Sequence, residues 1–389
     1  MLFTLEALEA KEGDSLLLHW GDPDAPHLIL IDGGPRGVYN KTLKPRLLEL
    51  REAQDDPDEP LRIEILMVSH IDADHIAGIL DLTNAMIRDR ERNRLPPYRI
   101  LTLWHNSFDD LVAGEGADLL SAVGASVAAA SAAGTPLPGL HLSHQSELVL
   151  AGVSQGRSLR QNAERLALNL NSPFAELVQS PEQGRAEVEL SEGLKLTVLG
   201  PDKPQIDELR EKWKKDLPKI LEKEKAETEA AAYLDSSAAN LSSISVLAEA
   251  EGKKMLLTGD ARGDCLLQWL EAAGFLTDDP DSQFEVDVLK MPHHGSIHNV
   301  DEDFFRRLPT QNYVFSANGR HDNPDLETLE MLSKVRQDDD FTIWLTNHTE
   351  WSDEHFEKEY AAGRRYEVIH RDEDDLSVVL DLGDDELDR

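Results

Sequence analysis

Along the chain, short apolar runs of strand length alternate with stretches whose apolar positions recur at helical spacing, and polar breaks separate the two. Met1 to Ala10 alternates like a strand. Ser15 to Trp20 and His27 to Ile31 are strand-like runs joined at Gly21-Asp22-Pro23-Asp24, a hairpin signal. Leu43, Leu47, Leu48 and Leu50 predict a short helix over 42–52, and an acidic loop follows over 55–60. Leu61 to Val68 is apolar and β-branched, Ile76 to Leu82 opens a helix reaching about residue 93, and Tyr98 to Trp104 is the next strand. This β-α-β rhythm, with polar residues at the strand ends, is the layout that puts sites at the edge of a sheet.

Residues 109–135, rich in Ala, Ser and Gly, predict one or two helices with small packing surfaces, and 137–170 mixes a strand-like piece with a helix over 158–168. Leu194 to Leu199 reads as a strand. Mixed-sign residues over 206–232 predict a helix inserted between core strands, read either as a solvated face or as a lid. A second hairpin joins 244–248 to 254–257 across Glu251-Gly252. Helices over 265–273 and 303–308 then alternate with strands over 286–291 and 313–316. The closing segment predicts strands over 341–346, 366–370 and 376–382 before an acidic stretch at 384–388. No repeat at a solenoid period is present. The expectation is one domain over 1–389, with insertions at 109–170 and 202–235 and a C-terminal elaboration from 325 that ends in an acidic tail.

Composition narrows the chemistry. With 389 residues, 40% of them hydrophobic, the chain supports a sizeable core. A formal net charge of -36 makes a bare phosphate backbone an unfavourable passive partner, unless a local basic or metal-centred groove overrides the repulsion. The single cysteine, Cys265, excludes an intramolecular disulfide and a multi-cysteine zinc cage. The acidic, alternating N-terminus is unlike a signal peptide, and no apolar run reaches the ~18 residues of a membrane span. The expectation is a soluble, cytoplasmic protein with no membrane partner.

Metal binding must then rest on His, Asp and Glu, and five strand ends carry such residues: Asp32, the His70-Ile71-Asp72-Ala73-Asp74-His75 turn, Asp260, His293-His294 and His321. Asp32, beside Gly33-Gly34, reads equally well as a turn aspartate, and Asp14 has the same two readings. If the strands lie in packed sheets, their tips can converge.

In order and content these motifs resemble the metallo-β-lactamase fold superfamily, in its His-x-Asp-x-Asp-His variant, and particularly ComEC-like competence hydrolase domains. The matching pieces are Gly13-Asp14-Ser15, Leu30 to Gly34, Ser69 to Gly78, Asn240 with Ser242 and Ser243, Leu256 to Ala261, Leu289 to Ser296 and, more loosely, Ser316 to Gly319 with His321. The resemblance implies an α/β fold, an αββα sandwich of two mixed sheets flanked by helices, with one or two divalent ions at one edge, zinc or manganese and in some members iron. It implies that His70 and Asp72 hold a first ion, that Asp74, His75 and one of His293 and His294 hold a second, and that Asp260 bridges them. Asp32 would orient a ligand imidazole. The other histidine of the 293–294 pair, or His321, would protonate the leaving group. Asp74, His293 and His321 are thus the catalytic candidates, with His294 as a ligand.

The chain departs from the superfamily at Gly200-Pro201-Asp202, where many members carry another ligand histidine. His105 is the candidate substitute; it also reads as a strand-end histidine bonded to a backbone carbonyl. The activity expected is hydrolysis of a phosphodiester or other phosphate ester, with a nucleotide, a nucleic acid or a strand presented by a protein partner as substrate. The alternatives are a catalytically idle scaffold within a multi-protein complex and a di-iron oxidoreductase.

Overall fold

Both faces of most strands are apolar, because most strands are covered on both sides. A computed structural model describes residues 1–111, 144–208, 210–211, 243–361, 363–364, 366–384 and 387. Antiparallel β1 (Leu2–Leu8), β2 (Leu16–Gly21) and β3 (His27–Ile31) begin the first sheet. A π-helical turn, Tyr39–Leu43, runs into α1 (Lys44–Glu52). β4 (Leu61–Val68), α2 (Ala73–Glu91) and β5 (Tyr98–His105) then form a parallel crossover beside β3. The short α3 (Phe108–Leu111) follows, and after it α4 (His144–Leu166) and the two-residue β6 (Asn169–Leu170).

The second sheet starts antiparallel with β7 (Ala186–Glu189), β8 (Lys195–Gly200), β9 (Ser245–Ala250) and β10 (Lys253–Leu257). Beyond α5 (Gly263–Ala272) it turns parallel with β11 (Val286–Lys290). α6 (Glu302–Arg307), β12 (Thr310–Phe315), α7 (Leu326–Val335), β13 (Thr342–Leu345), α8 (Glu350–Ala361) and β14 (Glu367–His370) continue it. The last strand, β15 (Ser377–Asp381), returns to the first sheet and pairs with β1. The result is a seven-stranded sheet ordered β15-β1-β2-β3-β4-β5-β6 and an eight-stranded one ordered β14-β13-β12-β11-β10-β9-β8-β7.

Three apolar clusters set the layers. Leu18, Ile29, Ile31 and Met67 of the first sheet pack with Val246, Met255, Leu257 and Val288 of the second, so the sheets share a core. Leu28 and Leu30, which alternate with Ile29 and Ile31, instead meet Leu47, Ile79, Leu82 and Leu159 of α1, α2 and α4. Leu247, Leu256 and Leu289 meet Leu266, Trp269, Phe304 and Leu329 of α5, α6 and α7. Two mixed sheets flanked by helices are what the resemblance implies, and most of the strands read from the apolar pattern lie within two or three residues of their expected bounds.

The differences have physical causes. Residues 144–157 belong to α4, which is longer than the predicted helix over 158–168. α8 is mostly polar and buries little beyond Ser352, His355 and Phe356, so it gives no apolar period to read. The edge strand β7 has only two apolar residues in four. Most of the stretch 109–135, where small-residue helices are expected, most of the helix over 206–232, Asn240, Ser242 and most of the acidic tail lie outside the described residues. No helix among the described residues is long and apolar enough to cross a membrane.

A buried carboxylate knits the first sheet together. Glu6 on β1 accepts hydrogen bonds from Arg46 Nε of α1 (2.7 Å) and the Ser377 hydroxyl of β15 (2.5 Å), and lies 3.1 Å from His19 Nε2 of β2. Burial alone would push its pKa up; His19 and Arg46 reverse this and hold it at about 2, against an ordinary 4.5. Its folded pKa is depressed, so its contribution to stability is present above pH 4.5 and is lost as the pH falls toward 2. Glu6→Ala removes the buried partner of Arg46 and His19, leaving Arg46 only the more exposed Glu49 at 3.2 Å, and should cost about 3–5 kcal/mol in urea unfolding at pH 7. The wild-type chain should lose stability between pH 4.5 and 2 more steeply than the variant.

Candidate metal centre

The site is built where strand tips of the two sheets meet. β4 ends at Val68, Asp72 caps α2 in an extended conformation, and Asp74 and His75 occupy the first helical turn. Asp32, at the tip of β3, accepts hydrogen bonds from Ser69 N (2.8 Å) and the Ser69 hydroxyl (2.5 Å). Its Oδ2 also lies 2.8 Å from His75 Nδ1, which fixes that ring and leaves Nε2 facing the opposite way. The helix approaches closely because Gly33 and Gly78 touch: a Cβ on Gly78 would lie 1.8 Å from the Gly33 carbonyl oxygen.

The second sheet supplies the other half. β10 runs into Thr258-Gly259-Asp260, and the Asp260 amide donates to Ser243 Oγ (3.2 Å). β11 runs into Pro292-His293-His294, where both histidines take left-handed backbone conformations, φ 47° and 58°. Such strain, roughly 1–3 kcal/mol per residue, persists only where the surroundings enforce it. His294 Nδ1 lies 2.9 Å from the Ser316 carbonyl and 3.3 Å from Asp14 Oδ1, and Asp14 is ion-paired with the fully buried Lys290. His293 Nδ1 lies 2.9 Å from Asn299 Oδ1, and the Asn299 amide donates to the Asp260 carbonyl at 3.1 Å. Cross-sheet bonds hold the halves together: Ile244 N to Ser69 O at 2.7 Å and the Ser316 hydroxyl to Gly13 O at 2.8 Å.

Asp260 is the centre of the constellation. Its carboxylate lies 3.5 Å from His70 Nε2, 3.4 Å from His75 Nε2, and 3.7 Å from the Nε2 atoms of both His293 and His294. Asp74 Oδ2 is 3.7 Å from His294 Nε2 and 4.0 Å from His75 Nε2. The ligand atoms of His70, His75 and Asp260 lie within 4.8 Å of one another, as do those of Asp74, His75 and His294. Two cations bonded at about 2.0–2.2 Å would need neighbouring donors at about these separations.

The donor set fits such ions in a second way. His70 Nε2, His75 Nε2, His294 Nε2, Asp74 Oδ1 and Asp260 Oδ1 are buried and make no hydrogen bond. An unsatisfied buried polar atom is costly, and here several converge on one point.

The charges respond to one another in the same sense. Burial pushes the Asp260 carboxyl up, and His75, His294, His293 and His70 overcome that and hold it well below the usual carboxylate range. Burial pushes His75 down, yet Asp260, Asp32 and Asp74 hold it well above an ordinary imidazole. His294 is held at about 9: burial opposes this, while Asp260, Asp14 and Asp74 impose it. A cation can replace the protons that balance the cluster.

No family model matches the chain. Nor does any curated protein. The reading of the site therefore rests on its own residues.

His70, Asp74, His75, Asp260 and His294 come together, and Asp72 Oδ2 stands 3.7 Å from His70 Nε2. His293 also reaches Asp260 but is the more open of the pair, its side chain 23% exposed against 3% for His294. Asp32 sits behind His75, in the orienting place. His105 is elsewhere: with Asp110, Arg160, Asn171 and Arg210 it lines a separate cavity of about 410 Å³. Both its ring nitrogens make no hydrogen bond, so the backbone-carbonyl reading fails as well, and burial pushes its pKa down to about 4. His321 is exposed on the 320–322 turn and belongs to none of the ligand groups. Lys290 is the residue that pattern reading passes over. The signal available was a lysine ending the otherwise apolar-rich Val286–Lys290 strand.

Asp32→Asn should weaken zinc or manganese binding about 10–100-fold by equilibrium dialysis, with the fold retained in circular dichroism. In the metal-free chain the folded pKa of His294 is raised, so its stabilising effect is complete below pH 6.5 and is lost as the pH rises through about 9. Thermal melts of metal-free protein should fall across that window, and saturating metal should remove the dependence.

Proposed function

We propose that the chain is a metal-dependent hydrolase of the metallo-β-lactamase fold superfamily, related to ComEC-like hydrolase domains, and that it cleaves a phosphodiester or other phosphate ester. The observation that supports this most is the convergence of His70, His75 and His294 on Asp260, with unpartnered Nε2 atoms turned inward. Two sheets flanked by helices, with the constellation at their common edge, agree with that fold.

The residues divide the work. His70 with Asp72, and His75 with Asp74 and His294, would hold one or two divalent ions, zinc, manganese or iron, with Asp260 shared between them. Ions so held would supply Lewis acidity, lowering the pKa of water and countering charge on phosphoryl oxygens. Asp32 fixes the His75 ring through Nδ1, and Asp14, anchored by Lys290, fixes His294. His293 is the open member of the constellation, and with Nδ1 held by Asn299 its Nε2 is free to pass a proton to a leaving oxygen. His321 is the other candidate for that transfer. The carboxylate ligands make the site harder than a histidine-rich one, which suits phosphoryl oxygen and manganese or iron as well as zinc.

Substrate size follows from charge. At a net -36 the surface repels a long polyanion, so a nucleotide, a short oligonucleotide or a strand delivered by a protein partner is the better substrate. Metal-reconstituted protein should hydrolyse bis-p-nitrophenyl phosphate or a dinucleotide, and Asp260→Ala should reduce turnover to that of the metal alone. Turnover of an amide or lactam with no phosphoester cleaved would overturn the substrate assignment. Protein that retains no transition metal and is unchanged by Asp260→Ala would favour a scaffold.

A further inference from the structure

A second group of ligand-type side chains lies on the same edge of the second sheet, apart from the centre described above. His348 follows the tip of β13, Asp353 lies in the first turns of α8, and His370 ends β14. β14 stands three strands from β11, which carries His293 and His294, a distance of about 14 Å at ordinary strand spacing. Asp353 Oδ1 is 3.3 Å from His348 Nδ1 and 3.2 Å from His370 Nε2, and His348 Nδ1 also lies 3.2 Å from Asp353 Oδ2. The three ligand atoms all lie within 4.8 Å of one another.

We propose that His348, Asp353 and His370 form an independent site for a borderline divalent cation of the zinc type, with its fourth position open to solvent. Donors on a tetrahedral zinc ion lie about 3.3–3.5 Å apart for bonds of about 2.0–2.1 Å, so two of the three donor separations are already close to what the ion needs. Two imidazoles and one carboxylate are a donor set zinc accepts readily.

A simple hydrogen-bonded clamp describes the group less well. His370 Nε2 is buried and makes no hydrogen bond, although a carboxylate oxygen stands 3.2 Å away. A buried ring nitrogen that faces a carboxylate oxygen without a hydrogen bond is relieved when a cation sits between them. The two rings are stacked, with centroids 3.8 Å apart and planes 9° from parallel. Binding must therefore tilt one of them, and His348, 54% exposed, has room to turn.

An ion there ties three elements together: the turn after β13, the start of α8 and the end of β14. The start of α8 also reaches the 316–325 loop, through the Trp351 indole N–H donating to the Pro324 carbonyl at 2.8 Å. That loop in turn meets the metal centre through Ser316 and His294.

The test compares metal-free wild-type protein with His348→Gln/His370→Gln, titrated with Zn²⁺ alone and followed by calorimetry and thermal melts. The double variant should bind one zinc ion fewer per chain and lose part of the zinc-induced rise in Tm. Asp353→Asn, which keeps both imidazoles, should weaken the same step without abolishing folding. Phosphoester hydrolysis should persist in all of these variants, because the catalytic constellation is untouched. An Asp260→Ala background, in which the main centre is disabled, should still show the step. Equal zinc stoichiometry and equal melting shifts in wild type and double variant would overturn the proposal, whatever the fate of the hydrolase reading.

Discussion

A carboxylate enclosed by imidazoles, in a place from which water has been largely removed, is the arrangement on which the rest of this molecule depends. Asp260 meets four histidine nitrogens at 3.4–3.7 Å. In a low-dielectric interior such charges are tolerable only when they balance and when their positions are enforced. Enforcement comes from the polar groups directly behind them. The Asp260 amide is held by Ser243, the His294 ring by Ser316 and Asp14, and the His75 ring by Asp32. Behind these, two sheets with a shared core fix the strand tips that carry them. The left-handed backbone of His293 and His294 is the local cost of aiming two adjacent rings at one carboxylate from a turn.

The elements that do this were largely written in the hydrophobic pattern. Runs such as Leu28 to Ile31 and Ile65 to Val68 are apolar on both faces, so they read as covered strands and the structure uses them that way. Helices with little buried apolar surface, such as α8, left no period to detect. The candidate ligands were legible for a related reason. His and Asp crowded at strand ends are otherwise uneconomical, and the turn after β4 concentrates them.

Spatial relations were harder to read. Nothing local in the sequence says that Lys290 neutralises Asp14, since 276 positions separate them (290 less 14) and only the docking of the sheets brings them together. The same blindness made His105 a plausible ligand. It ends β5 directly beside the end of β4, with His105 paired to Val68, yet its ring enters a different cavity. A one-strand displacement across a sheet is enough to separate a histidine from the carboxylates it seems to accompany. The group formed by His348, Asp353 and His370 was hidden because its members come from a turn, a helix and a strand with no shared motif.

The tie between the Ser316 hydroxyl and the Gly13 carbonyl, which joins the rim of one sheet to the rim of the other, implies an order of events during biosynthesis. Its partners are 303 positions apart, so at least that length of chain must be synthesised before the bond can close. Incomplete chains present the early histidines and the late ones on surfaces that have not yet met. The surroundings of Asp260, with His70 and His75 from one sheet and His294 from the other, are therefore assembled late, once both sheets exist.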